Sequence, residues 1–295
     1  MESGSTEFRY EEEFIYNSRG MKLFTCSWVP AHSEPKGLVF LCHGYGLECS
    51  VSLRGCGIRL AKAGYAVYGI DYQGHGKSSG LQCYIPNFDH LVNDCFHHFT
   101  SIYERQENKK IKKILMGESM GGAVALLLHI KAPSYWDMAV LVAPMCKFAE
   151  ELKPHPVWIS IGDMLSYVIP TWITPFGEVI DAAFRVPEIR DEVRRNPLCY
   201  KGGVRLGTAT QLWKTSLELE ARLEQVSLPF LLMHGAQDRV IHPSHTQLLH
   251  QRAPSTDKTF HLFPDMWHSL TIGELPQNID IVFAHILSWL DARIS

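Results

Sequence analysis

Short apolar runs alternate with amphipathic stretches along most of this chain, a pattern that predicts a mostly parallel sheet with helices on both faces. Strands are expected at Gly37 to Cys42, Ala66 to Ile70, Ile114 to Met116 and Met138 to Ala143. Helices are expected between them, near Leu53 to Ala63, from about Phe88 to Gln106, and from Gly122 to His129. Ahead of these, Thr6 to Tyr16 and Met21 to Trp28 form a candidate antiparallel pair, with Asn17-Ser18-Arg19-Gly20 as the turn. The alternation breaks after Pro144, and the next strand-like run is Pro229 to Met233. A single crossover helix needs only about a dozen residues, so an insertion is implied. The closing section alternates again, with a helix near Ser244 to Gln251, a strand at Thr259 to Phe263 and a helix from about Ile279 to Ala292.

Three units follow from this pattern: residues 1–146 as the first part of an α/β core, 147–226 as a helical cap insertion, and 227–295 as the second part of the core. The insertion carries Trp158, Ile159, Ile161, Met164, Leu165, Tyr167, Val168, Ile169, Trp172, Ile173 and Phe176, interrupted by prolines. Those residues suit either the lining of a mobile cap or the core of a rigid extra layer. The cap is preferred because segments inserted over catalytic faces commonly act as lids.

Composition narrows the function. The 295 residues are 46% hydrophobic, enough for a sizeable core. A formal charge of −3 leaves no basic excess to follow a phosphate backbone, so nucleic acid is not an expected partner. Lys109-Lys110 and Lys112-Lys113 read as a solvated turn before the strand at Ile114. The start has no basic and apolar sequence of a secretory signal, and no apolar run approaches bilayer length. The eight cysteines lack a C-x-x-C pair and read as reduced and mostly buried, which fits a cytoplasmic or membrane-peripheral protein. Neither His97-His98 nor His242-x-x-His245 has the companions of a zinc site, so neither metal nor cofactor is expected.

The candidate chemistry centres on Gly117-Glu118-Ser119-Met120-Gly121, set between a strand and a helix. A turn sharp enough to expose a serine hydroxyl leaves no room for side chains beside it, which accounts for the glycines. The competing reading is a small-residue turn with an ordinary serine. A serine nucleophile needs a histidine base, and that histidine needs a carboxylate to hold its tautomer. Asp238 follows the strand ending at Met233, and His268 follows the strand ending at Phe263, in the order serine, acid, histidine. Taken alone, Asp238 could be a turn-forming residue or a partner of Arg239, and His268 a loop histidine beside Trp267. Asp257 and Asp265 rank below Asp238 because they flank the last strand. For the developing oxyanion, the backbone N–H groups of Met120 and Tyr45 are the candidate donors, the latter in His43-Gly44-Tyr45-Gly46.

Two nucleotide-like motifs fail on inspection. Gly44-x-Gly46 has Cys49 where a dinucleotide fingerprint needs its third glycine, and Gly74-His75-Gly76-Lys77-Ser78 has Asp71 where a phosphate loop needs its first. Asp71 and its loop are read as structural support.

Together these motifs resemble the serine hydrolases of the α/β-hydrolase fold, specifically the plant monoacylglycerol lipase and caffeoylshikimate esterase branch, over about Phe8 to Leu290. The motifs carrying the resemblance include Asp71 with Gly74-His75-Gly76-Lys77-Ser78, Gly117 to Gly122, His234-Gly235 with Asp238, and Met266-Trp267-His268-Ser269-Leu270 followed by Gly273-Glu274. One departure is Leu275-Pro276-Gln277, where the family usually continues with proline and acidic residues. The resemblance implies carboxylic ester hydrolysis, a cap over an acyl pocket, and loose membrane association. The expected substrates are a monoacylglycerol, a lysophospholipid or an aromatic ester. A small-ligand receptor with slow or no turnover, or an acyltransferase using the same acyl-enzyme, are the alternatives.

Overall fold

The computed structural model describes residues 7–146, 163–174 and 179–294. Eight strands form one sheet in the order β1-β2-β4-β3-β5-β6-β7-β8. They are β1 (Phe8–Tyr16), β2 (Lys22–Pro30), β3 (Gly37–Cys42), β4 (Ala66–Ile70), β5 (Lys112–Glu118), β6 (Met138–Val142), β7 (Phe230–Gly235) and β8 (Lys258–Phe263). β2 is antiparallel to both β1 and β4, and every other pairing is parallel. The interior strands β3, β4, β6 and β7 are buried at every position, as apolar runs in a doubly covered parallel sheet must be.

Two apolar cores lie on the two faces of this sheet. One packs Phe40, Phe99, Leu115 and Phe230 with α2 (Phe88–Tyr103) and α3 (Met120–Lys131). The other packs Trp28, Val39, Met116 and Leu231 with α1 (Arg54–Lys62) and the last helix, Pro276–Ile294. α3 is buried from Met120 through Ile130. A helix apolar all round belongs in the interior, and this one anchors the turn that precedes it.

Most element boundaries fall within a few residues of those expected from the sequence, and one differs for a clear reason. Lys112 and Lys113 belong to β5 and not to a solvated turn. Asp137 neutralises both, at 3.7 and 3.1 Å, and the Lys113 ammonium sits 4.1 Å from the centre of the Tyr103 ring. Paired charge and a covered stem let the strand begin two residues early.

Between β6 and β7 the described residues are largely helical: 163–168, Ile180–Ala183, Pro187–Arg195 and Leu206–Arg222. They have a small apolar cluster of their own, including Phe184, Val193 and Cys199, while Leu219 joins the main core. Met164, Tyr167, Val168 and Trp172 are exposed, Tyr167 by 78%. Trp158, Ile159, Ile161 and Phe176 lie outside the described residues.

Candidate active site

In a parallel sheet, loops leaving the C-terminal strand ends open along one edge. β3, β5, β7 and β8 all run parallel within the sheet. The loops holding Tyr45, Ser119, Asp238 and His268 follow these four strands, so the topology gathers them on one side.

Ser119 forms the turn from β5 into α3 with φ 58° and ψ −122°, a positive-φ conformation costly for a residue with a side chain. Backbone bonds hold it there: its N–H donates to Val142 at 3.0 Å, and its carbonyl accepts from Gly122 at 2.9 Å and Met145 at 3.0 Å. The flanking glycines are there for want of space. A Cβ on Gly117 would strike the Gly121 carbonyl, and one on Gly121 would strike the Cys42 carbonyl at the end of β3. Ser119 itself is partly exposed, whereas Glu118 and Met120 beside it are buried.

His268 and Asp238 meet. His268 Nδ1 lies 2.7 Å from Asp238 Oδ2, with the aspartate side chain fully buried and that of histidine only 4% exposed. The other oxygen, Oδ1, accepts from the backbone N–H groups of Val240 at 2.7 Å and Ile241 at 2.9 Å. Asp238 therefore makes a local turn and binds a histidine at once. Arg239 does not pair with it; its guanidinium stacks 4.1 Å from the centre of the Trp267 ring. Burial alone would raise the Asp238 pKa, but the attraction of His268 and hydrogen bonds from His234 and His268 outweigh it and hold the carboxyl well below the usual carboxylate range. Among the described residues, neither the Ser119 hydroxyl nor His268 Nε2 is engaged in a hydrogen bond. Catalytic hydrogen bonds in an empty site are often long and tighten only around substrate.

Facing Ser119 is the loop after β3. Gly44 lies against the serine, so close that a methyl group on it would stand 3.6 Å from Ser119 Cβ. His43 is fully buried: Nε2 accepts from the Tyr72 N–H at 3.2 Å, which makes Nδ1 the protonated nitrogen that donates to Gly44 O at 2.9 Å. Burial pulls its pKa down to about 4, so the ring is a neutral strut. Met120 is the first residue of α3, where an N–H has no intrahelical acceptor, and the Tyr45 N–H has no acceptor among the described residues. The Asp71 carboxylate beneath takes the N–H groups of Cys49 at 2.9 Å and Lys77 at 3.0 Å, and burial pushes it up to about 7. The Gly74 to Ser78 loop is thus tied to a carboxylate, and no phosphate seat is built there.

All eight cysteines are buried free thiols. No group of three His, Cys, Asp or Glu side chains fit to hold a metal ion occurs among the described residues. Asp257 pairs with Arg293 at 2.6 Å, away from His268. Pro276 opens the last helix, and the preceding Glu274, fully buried, accepts the Trp267 N–H at 2.7 Å and so fixes the loop beside His268.

Sequence reasoning overlooked three supports. His234 Nε2 lies 2.9 Å from Asp238 Oδ2 while its Nδ1 meets Thr246 Oγ1 at 2.5 Å; the sequence motif that pairs His234 with Asp238 pointed to this residue without giving it a role. Glu48 collects the N–H groups of Val51 and Ser52 and reaches Asn196 Nδ2 at 3.2 Å, joining the loop after β3 to the segment between β6 and β7. Tyr200 N–H donates to Gly46 O at 2.8 Å across the same seam. Neither of the last two leaves a local signature.

The profile of a hydrolase family described as serine aminopeptidase, S33, matches residues 33–275. Caffeoylshikimate esterase of Arabidopsis thaliana is 31% identical over 297 residues, covering 96% of this chain and 90% of that protein. Monoglyceride lipase of Homo sapiens is 28% identical over 280 residues, covering 95% and 90%. A soluble variant of monoglyceride lipase from Saccharomyces cerevisiae, solved in complex with a substrate analog, superposes with a TM-score of 0.84 at 20% identity over 99% of this chain and 97% of that one. This likeness speaks for the fold.

Proposed function

Because the chain belongs to the serine aminopeptidase S33 family of α/β-hydrolases and is a carboxylic ester hydrolase of the monoacylglycerol lipase type, we propose that Ser119, His268 and Asp238 are its catalytic triad. The observation that carries this reading is the buried 2.7 Å contact between Asp238 Oδ2 and His268 Nδ1 on the sheet edge where the strained Ser119 turn opens. With Nδ1–H held by Asp238, the Nε2 lone pair is free to take the Ser119 proton as the serine oxygen attacks the ester carbonyl. The N–H groups of Tyr45 and Met120 hold the developing oxyanion, and His268 returns the proton to the leaving alcohol. Water, activated by the same histidine, then cleaves the acyl-enzyme. No metal or cofactor enters this sequence.

Residues 147–226 act in this reading as a cap over the acyl pocket. The exposed apolar side chains of Met164, Leu165, Tyr167, Val168 and Trp172 support an apolar acyl substrate and peripheral contact with a membrane surface. Among the described residues no helix is long and apolar enough to cross a bilayer. The buried free thiols suit a reducing compartment such as the cytoplasm.

Ser119→Ala is expected to abolish both labelling by a fluorophosphonate probe and turnover of a p-nitrophenyl ester. Labelling that persists in the variant overturns the nucleophile assignment. A panel of monoacylglycerols, lysophospholipids and aromatic esters then ranks the substrates, since an apolar pocket discriminates weakly between similar shapes.

A further inference from the structure

β5 ends in a carboxylate that the proposed mechanism leaves without a task. Glu118, bonded directly to Ser119, is 8% exposed. Its Oε2 accepts from Thr271 Oγ1, and its Oε1 accepts from the Thr271 N–H at 3.4 Å. Thr271 lies three residues beyond His268 on the same loop. One side chain therefore connects the strand presenting the nucleophile to the loop presenting the base. The loop's other ties run elsewhere: Ser269 N–H to Ala183 O at 3.1 Å, Arg185 N–H to Gly273 O at 3.1 Å, and Gln237 N–H to Met266 O at 3.0 Å.

A buried carboxylate is costly where a neutral side chain could fill the same space, so its retention next to the candidate nucleophile calls for a reason. Both of its oxygens accept hydrogen bonds, as those of an ionised carboxylate do. We propose that Glu118 is a positioning residue for ester hydrolysis, holding the His268 loop at its distance from Ser119 and supplying negative charge that favours the imidazolium formed on His268. This rests on the Ser119-His268 reading above. Charge acts strongly here because the surroundings are apolar. Burial pushes the Glu118 pKa up, and the Thr271 hydroxyl and His268 draw it part of the way back. Among the described residues, the titratable groups that interact with the carboxylate are His268 from the loop and Cys56 from α1, whose thiol is pushed up by its own burial and by this charge. Asp238 holds the Nδ1 of the same histidine at 2.7 Å.

The test compares Glu118→Gln and Thr271→Val with the parent enzyme in kcat and KM for a p-nitrophenyl ester from pH 5 to 9, with thermal melts reporting folding. Glu118→Gln retains a hydrogen-bond acceptor and removes the charge. It is expected to lower kcat about tenfold with KM little changed, and to move the acid limb of the kcat/KM profile down by about one pH unit, since His268 loses the anion that favours its protonated form. Thr271→Val keeps shape and loses the hydroxyl; it is expected to lower kcat by a similar factor, and the double variant to be no worse than either single one. An unshifted acid limb in Glu118→Gln, or fully additive losses, overturns the proposal. Should Glu118→Gln not fold, Thr271→Val alone decides: a parental kcat defeats the positioning role. If Ser119→Ala retains turnover, the underlying triad reading fails instead, so the two failures are separable.

Discussion

The two halves of the candidate site are held by different physics. On the nucleophile side, the Ser119 turn is locked by backbone hydrogen bonds and by close packing against Cys42 and His43, with glycines where no side chain fits. On the acid-base side, Asp238 and His268 are held by side-chain hydrogen bonds to each other, to His234 and to backbone N–H groups. Steric locks are all-or-none because a packed interior does not yield continuously. Hydrogen-bonded charges can lose one partner while the chain stays folded. Damage on the first side is therefore expected to appear as lost fold, and damage on the second as lost chemistry in an intact fold.

Gly121→Ala is the most severe break. Its new methyl group meets the Cys42 carbonyl, so β3 or the turn must shift. Urea unfolding is expected to show a loss of about 3 kcal/mol or more, with no fluorophosphonate labelling. Gly44→Ala is the matched control on the facing loop. A Cβ there meets nothing nearer than 3.6 Å, and its unfolding free energy is expected to stay within about 1 kcal/mol of the parent. Equal losses in the two variants would remove the steric basis of the contrast.

Asp238→Asn probes the opposite side. The amide preserves shape but has one accepting oxygen where the carboxylate has two; with that oxygen kept on the Val240 and Ile241 N–H groups, its NH2 faces the histidines and stabilises the wrong tautomer of His268. A loss of kcat of about 10⁴ is expected, with unfolding free energy changed by only about 1 to 2 kcal/mol. A variant that unfolds outright would show the acid-base side to be as steric as the other.

Legibility in the sequence follows the same division. The sheet is legible because strands buried on both faces leave continuous apolar runs. The Ser119 turn is legible because steric exclusion is written as glycine at fixed spacing. Lys112 and Lys113 hide the start of β5, since their neutralising Asp137 lies just ahead of the next strand. Asp238 reads as either a turn residue or a histidine partner, and it serves both uses with separate oxygens. Glu118 is silent because its partner Thr271 is 153 residues away. Local sterics leave a local pattern, and long-range polar pairing does not.

Acid sharpens the contrast more gently, because the two halves titrate in different windows. Around the nucleophile, His43 and His75 are buried with pKa values pulled down to about 4 and about 3, and on α2 His98 is pulled down to about 4. Each stays neutral in the fold, whereas the unfolded chain takes up protons below about 6.5, so stability falls as pH drops from there toward 4. Asp71 opposes them: pushed up to about 7, it binds a proton in the fold before the unfolded chain does, a gain that is lost as pH rises through 7. Between pH 7 and 5.5 the three histidines cost more than Asp71 returns, and His90, His129 and His261, also pulled down by burial, add to the cost, so urea unfolding is expected to show a net loss of stability. Asp238, held low, keeps its charge across that interval and adds its own loss only below about pH 4. Asp71→Asn removes the opposing gain, so its stability is expected to fall more steeply than the parent's over the same interval. A parallel slope would mean that the carboxylate under the Tyr45 loop is already ionised there, and that the two halves of the site are not separated by pH.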